Sequence, residues 1–76
     1  MTNHPEAGEK IFKKGEVIYQ QGDYVSAIYD VLYGQVALYV DYHKPTQRLL
    51  NEVEADGFFG IVGVLESRPQ NATAVA

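Results

Sequence analysis

Cysteine is missing from this 76-residue chain. That excludes a disulfide framework and thiolate chemistry. Positive charge is scarce: six Lys and Arg stand against ten Asp and Glu, leaving a net charge of −4. Nucleic-acid phosphates would be repelled by such a chain, so direct contact with nucleic acid is not expected. No apolar run approaches the ~20 residues that a membrane helix needs. The opening Thr2-Asn3-His4-Pro5-Glu6 is neither a signal nor a transit peptide. These absences lead to the expectation of a cytoplasmic module without a membrane segment. No long helical period, internal repeat or low-complexity segment is present.

What is present is apolar residues, 46% of the chain. That is a globular rather than a disordered composition, and the length allows at most one small domain. Residues 1–8 are polar, contain Pro5 and Gly8, and read as a flexible arm ahead of a domain over 9–76. Short β-branched and aromatic runs predict strands over Glu9–Phe12, Glu16–Gln20, Ala27–Tyr33, Gln35–Tyr42 and Gln47–Glu54. Val36, Leu38 and Val40 alternate onto one face of the fourth, and Leu49, Leu50 and Val53 anchor the fifth. Lys13-Lys14-Gly15, Gln21-Gly22-Asp23, Gly34, His43–Thr46 and Ala55-Asp56-Gly57 punctuate them as turns. Short strands at this spacing predict an all-β sandwich or jelly roll.

The chain is organised around Gly57–Ala76, GFFGIVGVLESRPQNATAVA. Two aromatics and Gly60 lead into the apolar run Ile61–Leu65, long enough for one or two helical turns. Free N–H groups at the start of such a turn attract an anion. The small-residue tail after Pro69 can begin a strand. One reading of these residues is therefore a loop, turn and strand around a small anionic ligand. The other is a hydrophobic loop plugging the end of a β-barrel.

The stretch resembles the phosphate-binding cassette of the cyclic nucleotide-binding domain family. That family shows Phe-Gly-Glu, a short apolar helix, a polar turn, then Pro-Arg-Ala-Ala-Thr-Val and an Ala. Here the matching residues are Phe59-Gly60-Ile61, Val62-Gly63-Val64-Leu65, and Pro69-Gln70-Asn71-Ala72-Thr73-Ala74-Val75-Ala76. Upstream, Phe12, Gly15-Glu16, Ile18, Gly22-Asp23, Tyr29, Val31, Gly34 and Val36 match the family's turn and core positions. The resemblance implies a jelly-roll β-barrel (a double-stranded β-helix) with a short helical turn in the cassette. Its ligand residues would be Phe59, Gly60, Ile61, Val62, Gly63, Gln70, Asn71, Ala72 and Thr73, holding cyclic AMP, cyclic GMP or another small anion. Two positions depart from the family. Its ribose-binding glutamate falls on Ile61, and its phosphate-binding arginine falls on Gln70. The expected function is accordingly a regulatory or sensory domain with weak or absent nucleotide binding; the alternative is an interaction or dimerisation module. The family's domain continues past its cassette with further strands and a lid helix. The expectations that follow are unpaired sheet edges, and either a homo-oligomer or a fragment of a larger regulatory protein.

Arg68, two positions from Gln70, is a substitute phosphate contact or a solvated turn arginine. Asn71 and Thr73 offer ligand hydrogen bonds or are polar groups at a strand edge. Glu52, Glu54 and Asp56 read better as a solvated face than as a cation site, and His4 and His43 lack metal-ligand spacing. Lys13-Lys14 is too small for a nucleic-acid patch. No nucleophile has a base beside it, so no enzyme is expected, and a cupin-like metal set is a poor fit.

Overall fold

The structure, a computed structural model, describes residues 10–76. The expected arm over residues 1–8 lies outside the described residues. The elements in chain order are β1 (Val17–Tyr19), β2 (Tyr29–Asp30), β3 (Gln35–Val40), β4 (Arg48–Glu54), β5 (Phe58–Phe59), α1 (Ile61–Leu65) and β6 (Thr73–Val75). They form an antiparallel sheet in the order β1-β6-β3-β4 and a ribbon of β2 with β5. The expected jelly roll is present as these two layers, but among the described residues no ladder joins them into a closed barrel.

The last strand sits in the middle of the larger sheet. Ala74 faces Tyr19 on one side and Leu38 on the other, and it has no exposed surface. A small side chain suits this central position, because its neighbours close over it. The core is Tyr19, Val31, Val36, Val53, Phe59 and Ala74, with Ile18, Val25, Tyr29 and Leu38 packed against it. Since α1 leaves β5 in the ribbon and leads into β6 in the sheet, the cassette turn joins the two layers.

Three of the expected strands need correction. Lys10 to Phe12 form no strand, and Glu9 lies outside the described residues. Ile11 is 95% exposed; an extended segment without a hydrogen-bonded neighbour has no ladder to hold it. The strand expected over Ala27–Tyr33 shortens to Tyr29–Asp30. Beyond it, the Val31 N–H donates to Gly57 O (3.0 Å) and Val31 O accepts from Asp56 N–H (2.8 Å), so Val31 pairs with a turn instead of a strand. The strand expected to reach Tyr42 ends at Val40, because Asp41 turns to φ 55° and donates its N–H to the Gln21 side chain at 2.8 Å. Of the expected anchors in β4, only Val53 is in the core. Leu49 and Leu50 are each 51% exposed: β4 is an edge strand, and its register shifts between Asn51 and Leu49.

The turns flanking β1 explain the Gly-acid pairs. In Gln20–Asp23, the Asp23 N–H donates to Gln20 O (2.9 Å) and the Asp23 carboxylate accepts the Gln20 N–H (2.9 Å). Gly22, at φ 94°, takes the third turn position, where a positive φ is required. Lys13–Glu16 repeats the design: Glu16 N–H reaches Lys13 O, and the Glu16 carboxylate accepts the Lys13 N–H.

Tyr19, Tyr29 and Phe59 form an aromatic cluster under the cassette, with Tyr29 stacked on Phe59 at 5.1 Å and Tyr19 tilted 5.9 Å from Phe59. Burial, reinforced by the neighbouring Tyr29, raises the Tyr19 hydroxyl from 10.0 to about 12. A phenol that holds its proton more tightly when folded leaves stability intact below pH 10 and lowers it as pH rises toward about 12. Alkaline unfolding followed by circular dichroism should show this decline, and Tyr19→Phe should flatten it. An unchanged alkaline limb in the variant would contradict the assignment.

Candidate ligand-binding site

The site is built on three residues from two segments: Gly60, Gly63 and Gln70. Gly60 precedes α1 at φ 83°, ψ 5°, a left-handed conformation costing an ordinary L-residue about 1–2 kcal/mol. A β-carbon there would lie 3.5 Å from Gln70 Nε2, 3.6 Å from the Tyr19 hydroxyl and 3.7 Å from Ala27 O. Strand β1, the β1–β2 connection and the cassette therefore converge on one glycine.

The start of α1 has no side-chain cap and no acidic residue in its first turn. Val64 N–H is the first to reach back, to Gly60 O at 3.3 Å; the preceding N–H groups have no intrahelical acceptor. The far end closes as a Schellman motif. Ser67 adopts φ 54°, its N–H reaches Val64 O (3.3 Å), and Arg68 N–H reaches Gly63 O (2.9 Å). These bonds make a five-residue helix a defined turn.

Gln70 lies beneath that turn. It is 5% exposed, and its amide nitrogen donates to Gly60 O at 3.1 Å. Its side chain runs along Gly63, where an added β-carbon would meet Nε2 at 2.7 Å and Cδ at 2.8 Å. Its backbone is held too: Gln70 N–H donates to Asp23 O and Gly22 N–H donates to Gln70 O, both at 2.8 Å. Buried polar groups are costly unless bonded, and here both backbone groups and the amide nitrogen have partners.

The other expected site residues are spread around this centre. Phe59 is in the core below, and Ala72 is buried between Gln70 and β6. Thr73 is buried, and its hydroxyl oxygen accepts the Gln21 N–H at 3.0 Å. Ile61 is half-buried, while Val62 and Asn71 face solvent. Arg68 is exposed and pairs through Nε with Glu66 at 3.2 Å; it lines an open hollow of about 400 Å³ with Tyr24, Val25, Ser26, Gly63, Val64 and Ser67. Gln70 and Ile61 do not line this hollow. They are also absent from a second groove of about 470 Å³ between Gln20–Gly22 and Asp41–Lys44.

Sequence reasoning missed Tyr19, Gln21 and Ala27 as parts of the site. Gly22-Asp23 marked a turn, but nothing local to it signalled that its backbone would clasp Gln70, 47 residues on from Asp23. Among the described residues, no group of His, Cys, Asp and Glu is placed to hold a metal. No described helix is long and apolar enough to cross a membrane.

A family profile described as the cyclic nucleotide-binding domain matches residues 9–76. Among solved structures, the chain is similar to the Thermus thermophilus catabolite activator protein, with TM-score 0.80, 30% identity, and coverage of 88% of this chain and 32% of that one. It is also similar to cAMP-bound PfPKA-R, with TM-score 0.79, 28% identity and coverage of 86% and 23%. The regulatory domain of Toxoplasma gondii PKA, co-crystallised with cAMP, shares the fold at TM-score 0.76 and 21% identity, covering 86% and 25%. The chain thus spans 23–32% of the length of these three structures. With the ordered cassette, the sheet order and the profile in agreement, the chain belongs to the cyclic nucleotide-binding domain family.

Proposed function

We propose that this chain is a cytoplasmic, non-enzymatic regulatory domain of the cyclic-nucleotide-binding class, and that its cassette holds cyclic AMP or cyclic GMP weakly or not at all. The observation that carries this reading is the placement of Gln70. Where the family has an arginine for the cyclic phosphate, this chain has a neutral amide, buried and already bonded to Gly60 O. An amide cannot supply the charge-assisted bidentate contact that makes arginine a strong phosphate partner. Ile61 compounds the effect, since an apolar branch accepts no hydrogen bond from a ribose hydroxyl.

The test is a titration of the chain with cyclic AMP and with cyclic GMP. The reading expects no saturation at micromolar nucleotide; saturation there would overturn it. A second role, as an interaction module or homo-oligomer, is favoured by the exposed Leu49 and Leu50 on edge strand β4 and by exposed Phe58 and Leu65 around the cassette. A monomeric mass by light scattering would count against self-association.

A further inference from the structure

We propose that Gly63 and Gln70 form an internal lock that holds the cassette turn in place without a ligand, and that Gln70 ties this turn to the Gln20–Asp23 turn. The proposal deepens the reading above, and rests on it, by assigning the Gln70 amide a positioning role within the same site.

Three observations carry it. The amide bond runs to Gly60 O, which also accepts the Val64 N–H. One carbonyl therefore receives both the helix's own first bond and the side chain of Gln70. The position under the helix exists only because residue 63 has no β-carbon: an alanine there would bring its β-carbon to 2.7–3.0 Å of the Gln70 amide group. The two residues are thus matched in size. Finally, the chain of bonds continues outward from Gln70. Its backbone clasps Gly22 and Asp23; the adjacent Gln21 donates its N–H to Thr73, and its side chain accepts the Asp41 N–H at the end of β3. Moving Gln70 therefore disturbs contacts on both layers of the fold. A lock of this kind makes the position of α1 a property of the chain rather than of a bound nucleotide.

Amide hydrogen exchange in the absence of nucleotide tests the lock separately from the titrations. Gln70→Ala removes the amide and leaves the backbone clasp. The Val64, Leu65 and Glu66 amides should then exchange about threefold to tenfold faster, the effect of losing one net hydrogen bond. The Gly22 amide, bonded to the residue 70 carbonyl, should keep its protection. Gln70→Met keeps the volume but removes the donor and should act as Gln70→Ala does. Gly63→Ala should reproduce the pattern by expelling the amide. Unchanged exchange in α1, or uniform acceleration across all strands, would overturn the lock. Neither result would bear on nucleotide affinity, which the titrations decide.

Discussion

Phe59→Ala should cost about 3–5 kcal/mol, the usual range for emptying a buried phenylalanine site. Phe59 is one of six buried side chains in the core cluster, and both Tyr19 and Tyr29 pack on its ring. It pairs with Tyr29 in the β2–β5 ribbon and sits directly before Gly60. Its loss would loosen the ribbon and the floor of the cassette together. Domains are stable by only about 5–15 kcal/mol, and small ones have little to spare. Chemical denaturation should therefore show the transition displaced to much lower denaturant, or lost. The adjacent Phe58 provides the control, because it points to solvent on the other side of the strand. Phe58→Ala should change stability by no more than about 0.5 kcal/mol. Equal losses from the two substitutions would mean that the aromatic cluster is not the core.

Most of the fold was legible in the sequence because its signals are local. The Gly-acid pairs at Gly15-Glu16 and Gly22-Asp23 make their own turns, with each acid bonding back to the first residue of its turn. The cassette's helical turn and following strand fall where the apolar run and small-residue tail placed them. What failed were features decided by distant partners. Ile11 and Phe12 have strand chemistry but no strand among the described residues beside them, and Leu49 and Leu50 read as anchors although β4 is an edge. The site shows the same division. Gly60 and Gln70 were singled out by their order in the cassette, and the structure brings them together. The clasp of Gln70 by Gly22 and Asp23 depends on contacts across 47 residues or more, and the fold of its amide beneath Gly63 depends on how two nearby side-chain positions fit in space. Composition carries no trace of such contacts.

The second large effect is a gain of binding. On the proposed reading, Ile61→Glu supplies an acceptor for a ribose hydroxyl, and Gln70→Arg supplies a charged donor for a cyclic phosphate. Each of these contacts is worth about 1–3 kcal/mol when made, so the pair should raise affinity by a factor of order 10² to 10⁴. The turn itself is in place: Gly60 is in its left-handed conformation, and α1 is capped at its far end. The longer arginine must also leave the space beside Gly63 that the amide fills, which releases the lock while supplying the charge. The most direct test is a calorimetric titration with cyclic AMP, run on the natural chain beside the Ile61→Glu, Gln70→Arg double variant. Silence in the natural chain and saturable heat in the variant is the predicted result. Micromolar binding by the natural chain, or silence in both, would contradict a cassette impaired at these two positions.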